Sequence, residues 1–170
     1  CLYGDVFEMT ARFVDAGHIL DPETARQLFD LGNECADAWM RKDAGFWELE
    51  QDEHYTMSKI ECWMALRRAS ELAKVGHLSS AMLPRWEREQ ARILAWIDEH
   101  CWSESKQAYT FYAGTDDLDA SLMLASRFGL AEVRHARMVS TRDAIRRELG
   151  CDELLYRYSG MQQREGTFTA

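Results

Sequence analysis

The chain has 170 residues, of which 46% are hydrophobic, with two prolines, ten glycines and a formal net charge of −9. That length suits one domain with a buried core, and the composition excludes a disordered chain. The acidic balance argues against nucleic acid and anionic membrane as partners, because both demand a basic face.

No apolar run approaches the roughly 20 residues of a spanning helix, and the first residues lack the basic and apolar regions of a signal peptide. Cys1, Cys35, Cys62, Cys101 and Cys151 are far apart and odd in number. They read as small buried hydrophobes in a reducing compartment, so a cytoplasmic protein is expected. The histidines are scattered, with no HxxxH and no CxxC, so neither a metal nor another cofactor is expected. The chain opens on a core-like turn and stops in mid-pattern at Thr167-Phe168-Thr169-Ala170, as if both ends were cut.

Val6, Phe7, Met9, Ala11, Phe13 and Val14 predict a helix over 5–16 that is apolar on nearly every side, an inner helix. Gly17 stops it, since glycine takes the left-handed conformation that closes a helix. Asp21-Pro22-Glu23 supplies a capping side chain, a first-turn proline and an acid at the positive end of a helix over 22–41. Its stripe is Ala25, Leu28, Phe29, Gly32, Cys35, Ala36, Trp39 and Met40. Its wet face is Glu23, Arg26, Asp30, Asn33, Asp37 and Arg41, so it is an outer helix.

The pattern repeats. Ile60, Cys62, Trp63, Met64, Ala65, Leu66, Ala69, Leu72 and Ala73 predict an inner helix over 58–75, ended by Gly76. Trp86, Ile93, Leu94 and Ile97 form the buried side of an outer helix over 84–101, with Glu87, Arg88, Glu89, Arg92 and Asp98 outside. A loop with Tyr109, Phe111 and Tyr112 leads to a third inner helix over 117–128, for which Asp116 reads first as the cap. Gly129 ends it, an outer helix over 134–149 follows, and Tyr156-Arg157-Tyr158 opens another aromatic loop. Trp39, Trp63, Trp86, Trp96 and Trp102 lie on or beside helical stripes and read as core.

The glycine stops at Gly17, Gly76 and Gly129 recur at intervals of 53 to 59 residues, the mark of stacked helical hairpins. With inner and outer helices antiparallel, every outer-to-inner loop emerges on one face. The aromatic loops should therefore gather around one mouth. A bundle or open solenoid would give the same hairpins, but fully apolar inner helices favour a closed double ring. Six hairpins at this spacing need on the order of 330 residues, so about three, or half a ring, are present.

The stretch 43–58 is too rich in chemistry for a linker. Trp47 offers a flat apolar face and Glu48 a carboxylic acid, the pair that a glycosidic bond requires. The bland alternative is a packed aromatic beside a solvated acid. Glu50, Asp52 and Glu53 read as solvated charges and His54 as structural. Tyr109, Phe111 and Tyr112 could line a sugar subsite or plug the mouth.

Gly45-Phe46-Trp47-Glu48, Tyr55-Thr56-Met57-Ser58-Lys59 and Cys62-Trp63-Met64-Ala65-Leu66-Arg67-Arg68-Ala69 together resemble the glucoamylase-like glycoside hydrolases of family 15. Tyr3-Gly4-Asp5-Val6, Asp116-Asp117-Leu118-Asp119-Ala120-Ser121-Leu122 and Leu155-Tyr156-Arg157-Tyr158 through Glu165-Gly166-Thr167-Phe168 are similar to its other landmarks, in the family's order. The resemblance implies an all-α (α/α)6 toroid and a chain 1–170 that is part of a single catalytic domain. It further implies an inverting hydrolase that releases glucose from an α-linked glucoside of trehalose, maltooligosaccharide or dextran type. Glu48 falls on the general acid, beside Trp47, and Arg157 on a sugar-binding arginine. Lys59, Tyr109 and Tyr112 complete the expected substrate-binding set at the mouth.

One departure matters. The family's general base lies in a later segment, Ala131-Glu132-Val133 is on the wrong face, and Glu165 is placed at the start of the next inner helix. Residues 1–170 alone are therefore expected to be hydrolytically silent, and to self-associate through inner helices left facing water. The competing reading is a non-catalytic helical-hairpin module that binds a peptide or sugar, or acts as a scaffold.

Overall fold

A computed structural model describes residues 2–161. Among them the fold is helical, and strands occur only as two-residue antiparallel ladders. Four long helices come first: α1 (Tyr3–Asp15), α2 (Pro22–Ala38), α3 (Thr56–Lys74) and α4 (Leu83–His100). After them come β1 (Trp102–Ser103), β2 (Ala108–Tyr109), a 3-10 helix over Ala120–Ser126, α5 (Leu130–Val133), α6 (His135–Leu149), β3 (Gly150–Cys151) and β4 (Leu154–Leu155). No helix of the described residues is long and apolar enough to cross a membrane. Glu165 and the residues around it lie outside the described part.

The chain divides into two compact units, Cys1–Arg41 with Ser58–Ala95, and Lys42–Met57 with Trp96–Ala170. In the first, α3 has the character expected of an inner helix. Ile60, Met64, Ala65, Leu66 and Ala69 have no solvent exposure. Close packing against α1 depends on Gly4, where a Cβ would stand 2.8 Å from the Met64 methyl and 3.0 Å from Glu61 Cβ. Arg68 Nε donates to Glu8 Oε2 at 2.8 Å and joins the same two helices.

Helix α2 starts as its sequence demands. The Asp21 carboxylate accepts from the backbone of Glu23 and Thr24, each at 3.0 Å, and so satisfies donors that the first turn leaves open. Gly32 lets α2 approach the Trp86 ring of α4, and Trp86 Nε1 donates to Asn33 Oδ1 at 3.1 Å.

Three expectations change. Helix α1 is buried along Phe7 and Ala11, but Met9 is 68% and Phe13 46% exposed, so its apolar surface is covered on one side only. Glu89 is buried, not on the wet face of α4, because it accepts the Trp39 indole at 3.1 Å and the Arg92 guanidinium at 2.8 Å. The third inner helix is a 3-10 helix confined to Ala120–Ser126. Leu118 and Asp119 are held against the chain around Tyr158, through Ser159 N to Leu118 O at 3.0 Å and the bridge of Asp119 with Tyr158. Bonds from Arg127, Phe128 and Gly129 to the residue three before then end it. Leu118, Leu122 and Ala125 are buried all the same, and spacings of three and four suit either helix.

In the second unit α6 packs on β2 and on the 3-10 helix. The Tyr109 backbone N–H donates to Thr141 Oγ1 of α6 at 2.9 Å. Asp98 is a polar hub that accepts from Tyr109 OH at 2.6 Å, Arg134 Nε at 2.7 Å and Arg137 at 2.7 Å. Burial raises the Asp98 carboxyl, but the bonds from Arg134 and Tyr109 outweigh it and hold the group below the usual carboxylate range.

Candidate active site

Asp43 and Glu53 pair in a short antiparallel bridge, 3.1 and 3.0 Å across, and close residues 44–52 into a loop. The Asp43 carboxylate then turns the chain by accepting from Gly45 N at 2.7 Å. Gly45 has φ +73°, and a Cβ there would stand 2.7 Å from the Tyr55 ring, so only glycine fits. The Glu53 carboxyl is held below its ordinary range by the Lys42 ammonium at 2.8 Å and the Gln51 amide at 2.9 Å.

Residues 44–49 form a single closed turn. Leu49 N donates to Ala44 O at 2.8 Å and Glu48 N to Gly45 O at 3.3 Å, the paired bonds of a Schellman motif. In that motif the residue before last is left-handed and is usually glycine. Here it is Glu48, at φ 52°. A non-glycine residue in this conformation costs roughly 1–2 kcal/mol. Its side chain is exposed, and among the described residues its carboxylate has no hydrogen-bond partner.

Trp47 is half-buried and fixed on two sides. Its Nε1 donates to Asp119 Oδ1 at 2.8 Å, and the Arg157 guanidinium lies 5.5 Å from its ring centroid, a cation–π contact. Asp119 is buried to 1% exposure and also accepts from Ser121 N at 2.8 Å and from the Ser121 hydroxyl. Burial pushes its carboxyl up to about 6, against those bonds, which pull it down.

The aromatic loops meet here. Tyr55, Phe111, Tyr158 and Met161 form a buried cluster, and Trp47, Leu49, Tyr112 and Tyr156 pack against it. Phe111 stacks on Tyr158 with centroids 5.0 Å apart, and Tyr112 sets its edge to Tyr55 at 5.8 Å. Trp47, Tyr112 and Arg157 are thus gathered on one aromatic platform, with Glu48 at its rim.

Two of the expected binding residues are differently placed. Tyr109 is buried to 1% exposure, with its hydroxyl on Asp98, and burial followed by that bond pushes its phenol far up. Lys59 is equally buried, and its ammonium donates to the Arg41 carbonyl at 2.6 Å. Asp116 caps nothing. Its carboxylate takes the hydroxyls of Ser103 and Ser105, and those two bonds lower its pKa. The cap of the 3-10 helix is Asp119.

The sequence pattern of the glycosyl hydrolases family 15 matches residues 3–167. The chain belongs to that family. It is 36% identical over 139 residues to a trehalase of Mycobacterium tuberculosis, and 37% over 144 residues to one of Mycolicibacterium smegmatis. Each match covers 77% of this chain and 20% of the relative, so the chain spans about a fifth of those trehalases. Among solved structures, a wild-type glycosidase superposes with a TM-score of 0.80 at 19% identity, over 93% of this chain and 42% of that one. A variant of a glycosidase in complex with glucose superposes equally well. At that identity the likeness is one of fold, and it makes this family 15 chain part of an all-α glycosidase architecture of helical hairpins.

Sequence reasoning passed over Asp119 as a site residue. The run Asp116-Asp117-Leu118-Asp119 offers three candidate caps, and nothing in their spacing says which one also reaches an indole 72 positions earlier.

Proposed function

We propose that the protein carrying this chain is an inverting glycoside hydrolase that releases glucose from an α-linked glucoside, of trehalose, maltooligosaccharide or dextran type. Residues 1–170 contribute the general-acid side of one catalytic domain. Glu48 is the general acid and gives its proton to the leaving oxygen. Trp47 and Tyr112 offer apolar faces to the sugar ring, and Arg157 donates to its hydroxyls. Lys59 and Tyr109 act indirectly, by holding the Arg41 carbonyl and the Asp98 carboxylate. Sugar chemistry asks for no cofactor, and the protein works in the cytoplasm.

Family membership supports the reaction class, and the trehalase relatives make trehalose the first substrate to try. The observation that carries the site assignment is that the Arg157 guanidinium lies 5.5 Å from the ring centroid of Trp47, the residue beside Glu48 in the same closed turn. A proton donor, an apolar face and a hydroxyl-binding cation then share one edge. The strained backbone of Glu48 agrees with it, since such outliers gather at functional sites.

The test is leaving-group dependence in the full-length protein. Glu48→Gln should lower turnover of trehalose or maltose by about 10²–10⁴-fold, because protonation of a poor leaving group is lost. Turnover of α-glucosyl fluoride, whose leaving group needs no proton, should fall by less than about tenfold. Equal losses on both substrates, or none on either, would remove Glu48 from the role. Binding of trehalose with no hydrolysis by wild type would favour a carbohydrate-binding module instead.

A further inference from the structure

The bond between Trp47 and Asp119 does more than a cap requires. An N-cap works well in the open, as Asp21 does at α2, where an exposed carboxylate serves two backbone donors. Asp119 serves one backbone donor, Ser121 N, and is buried to 1% exposure to do so. Burying a carboxylate is costly unless its bonds are worth having. The bond that burial gains is to Trp47 Nε1 at 2.8 Å. The same turn reaches the other side of the platform, because Ala120 N donates to the Arg157 carbonyl at 2.8 Å and Asp119 pairs with Tyr158. One turn of backbone therefore holds both the loop of Glu48 and the segment of Arg157.

Trp47 and Glu48 are consecutive, and the closed turn leaves little freedom between them, with Leu49 N tied to Ala44 O and Glu48 already left-handed. Fixing the indole edge therefore fixes the direction in which the Glu48 carboxyl leaves the backbone. An acid misplaced by about 1 Å loses on the order of 10²-fold in rate. We propose that Asp119 is the positioning residue of the proton donor: by gripping the Trp47 indole it aims Glu48 at the glycosidic oxygen, with Arg157 registered from the same turn. This rests on Glu48 as the general acid. The grip does not need a charge, because Oδ1 accepts from the indole in the neutral acid and in an asparagine alike.

The experiment compares Asp119→Ala and Asp119→Asn in the full-length protein. Asp119→Ala should lower kcat for trehalose by about 100-fold, with KM changed by less than about threefold and α-glucosyl fluoride turnover by less than about tenfold. Asp119→Asn should recover to within about fivefold of wild type, since it keeps the acceptor. Fluorine NMR of fluorotryptophan-labelled protein, with the Trp47 signal assigned by Trp47→Phe, should show that signal moved in Asp119→Ala and unmoved in Asp119→Asn. Equal losses on the two substrates, or a Trp47 signal unmoved in Asp119→Ala, would overturn the proposal. Glu48→Gln measured in parallel separates the two claims. If it keeps wild-type turnover, the acid assignment falls and the positioning role with it, whereas a normal Glu48→Gln loss with no Asp119→Ala loss sinks the positioning role alone.

Discussion

Replacing Glu48 by glycine should make the protein more stable while it removes the proposed proton donor. Glu48 stands at φ 52° in the place where a Schellman turn ordinarily has glycine. Relieving that conformation is worth roughly 1–2 kcal/mol. Glycine adds disorder to the unfolded chain, which returns about 0.5–1 kcal/mol. The side chain is exposed and bonded to nothing among the described residues, so no packing is lost. The net gain should be roughly 0.5–1 kcal/mol, with the two closing bonds kept. Glu48→Ala and Glu48→Gln remain strained and should stay within about 0.5 kcal/mol of wild type, as surface substitutions do. Urea or thermal unfolding of the full-length variants, side by side with trehalose turnover, measures both quantities. A Glu48→Gly protein no more stable than Glu48→Ala would show that the turn stores no strain, and the link from strain to function would go with it.

Gly45→Ala should destabilise the same loop by roughly 1–3 kcal/mol, because its φ of +73° and the Tyr55 ring at 2.7 Å both reject a Cβ; unfolding curves unchanged from wild type would refute this. Asp119 should also leave a mark on pH dependence. With its carboxyl pushed from 3.8 to about 6, the native state holds the proton more tightly than the unfolded chain, so its stabilising contribution is complete below about pH 4 and is lost as pH rises through about 6. That change is worth roughly 3 kcal/mol at about 1.4 kcal/mol per pH unit. The advantage of Asp119→Asn over wild type should grow between pH 4 and pH 7, and an advantage that is constant with pH would contradict it. Tyr109→Phe removes the bond to Asp98 and should cost about 1–2 kcal/mol of stability with KM for trehalose unchanged; a KM raised severalfold would place the phenol in the sugar site.

Much of the fold was legible because it depends on periodicity and on glycine. Gly17, Gly76 and Gly129, read as stops, all lie at positive φ, at 90°, 86° and 83°. The apolar positions between Ile60 and Ala73 marked a helix buried on most sides. The alternation of inner and outer helices placed the aromatic loops on one face, and Tyr55, Phe111 and Tyr158 do meet. What escaped were places where a tertiary bond reverses a local preference. Glu89 reads as surface by type, and it is buried because an indole 50 positions earlier donates to it, beside the Arg92 guanidinium of its own helix. Residues 117–119 read as helix by their spacing, yet Phe111 takes the Asp117 carbonyl and the backbone around Tyr158 pairs with Leu118 and Asp119.

The site divides along the same line. Trp47, Glu48 and Arg157 could be singled out because their side-chain chemistry is uncommon in a loop and stands in a recognisable order. Asp119 could not, since a cap and a clamp are the same residue until a partner 72 positions away is known. Nor could the strain at Glu48, which exists only once Leu49 and Ala44 have closed the turn. These two unseen features are connected through the chain itself. A left-handed glutamate cannot relax without carrying Trp47 with it, and Trp47 cannot move without giving up its bond to a buried carboxylate. The buried bond therefore helps to hold the strained acid in place, which is what the proton-donor role proposed for Glu48, meeting one oxygen in one direction, requires.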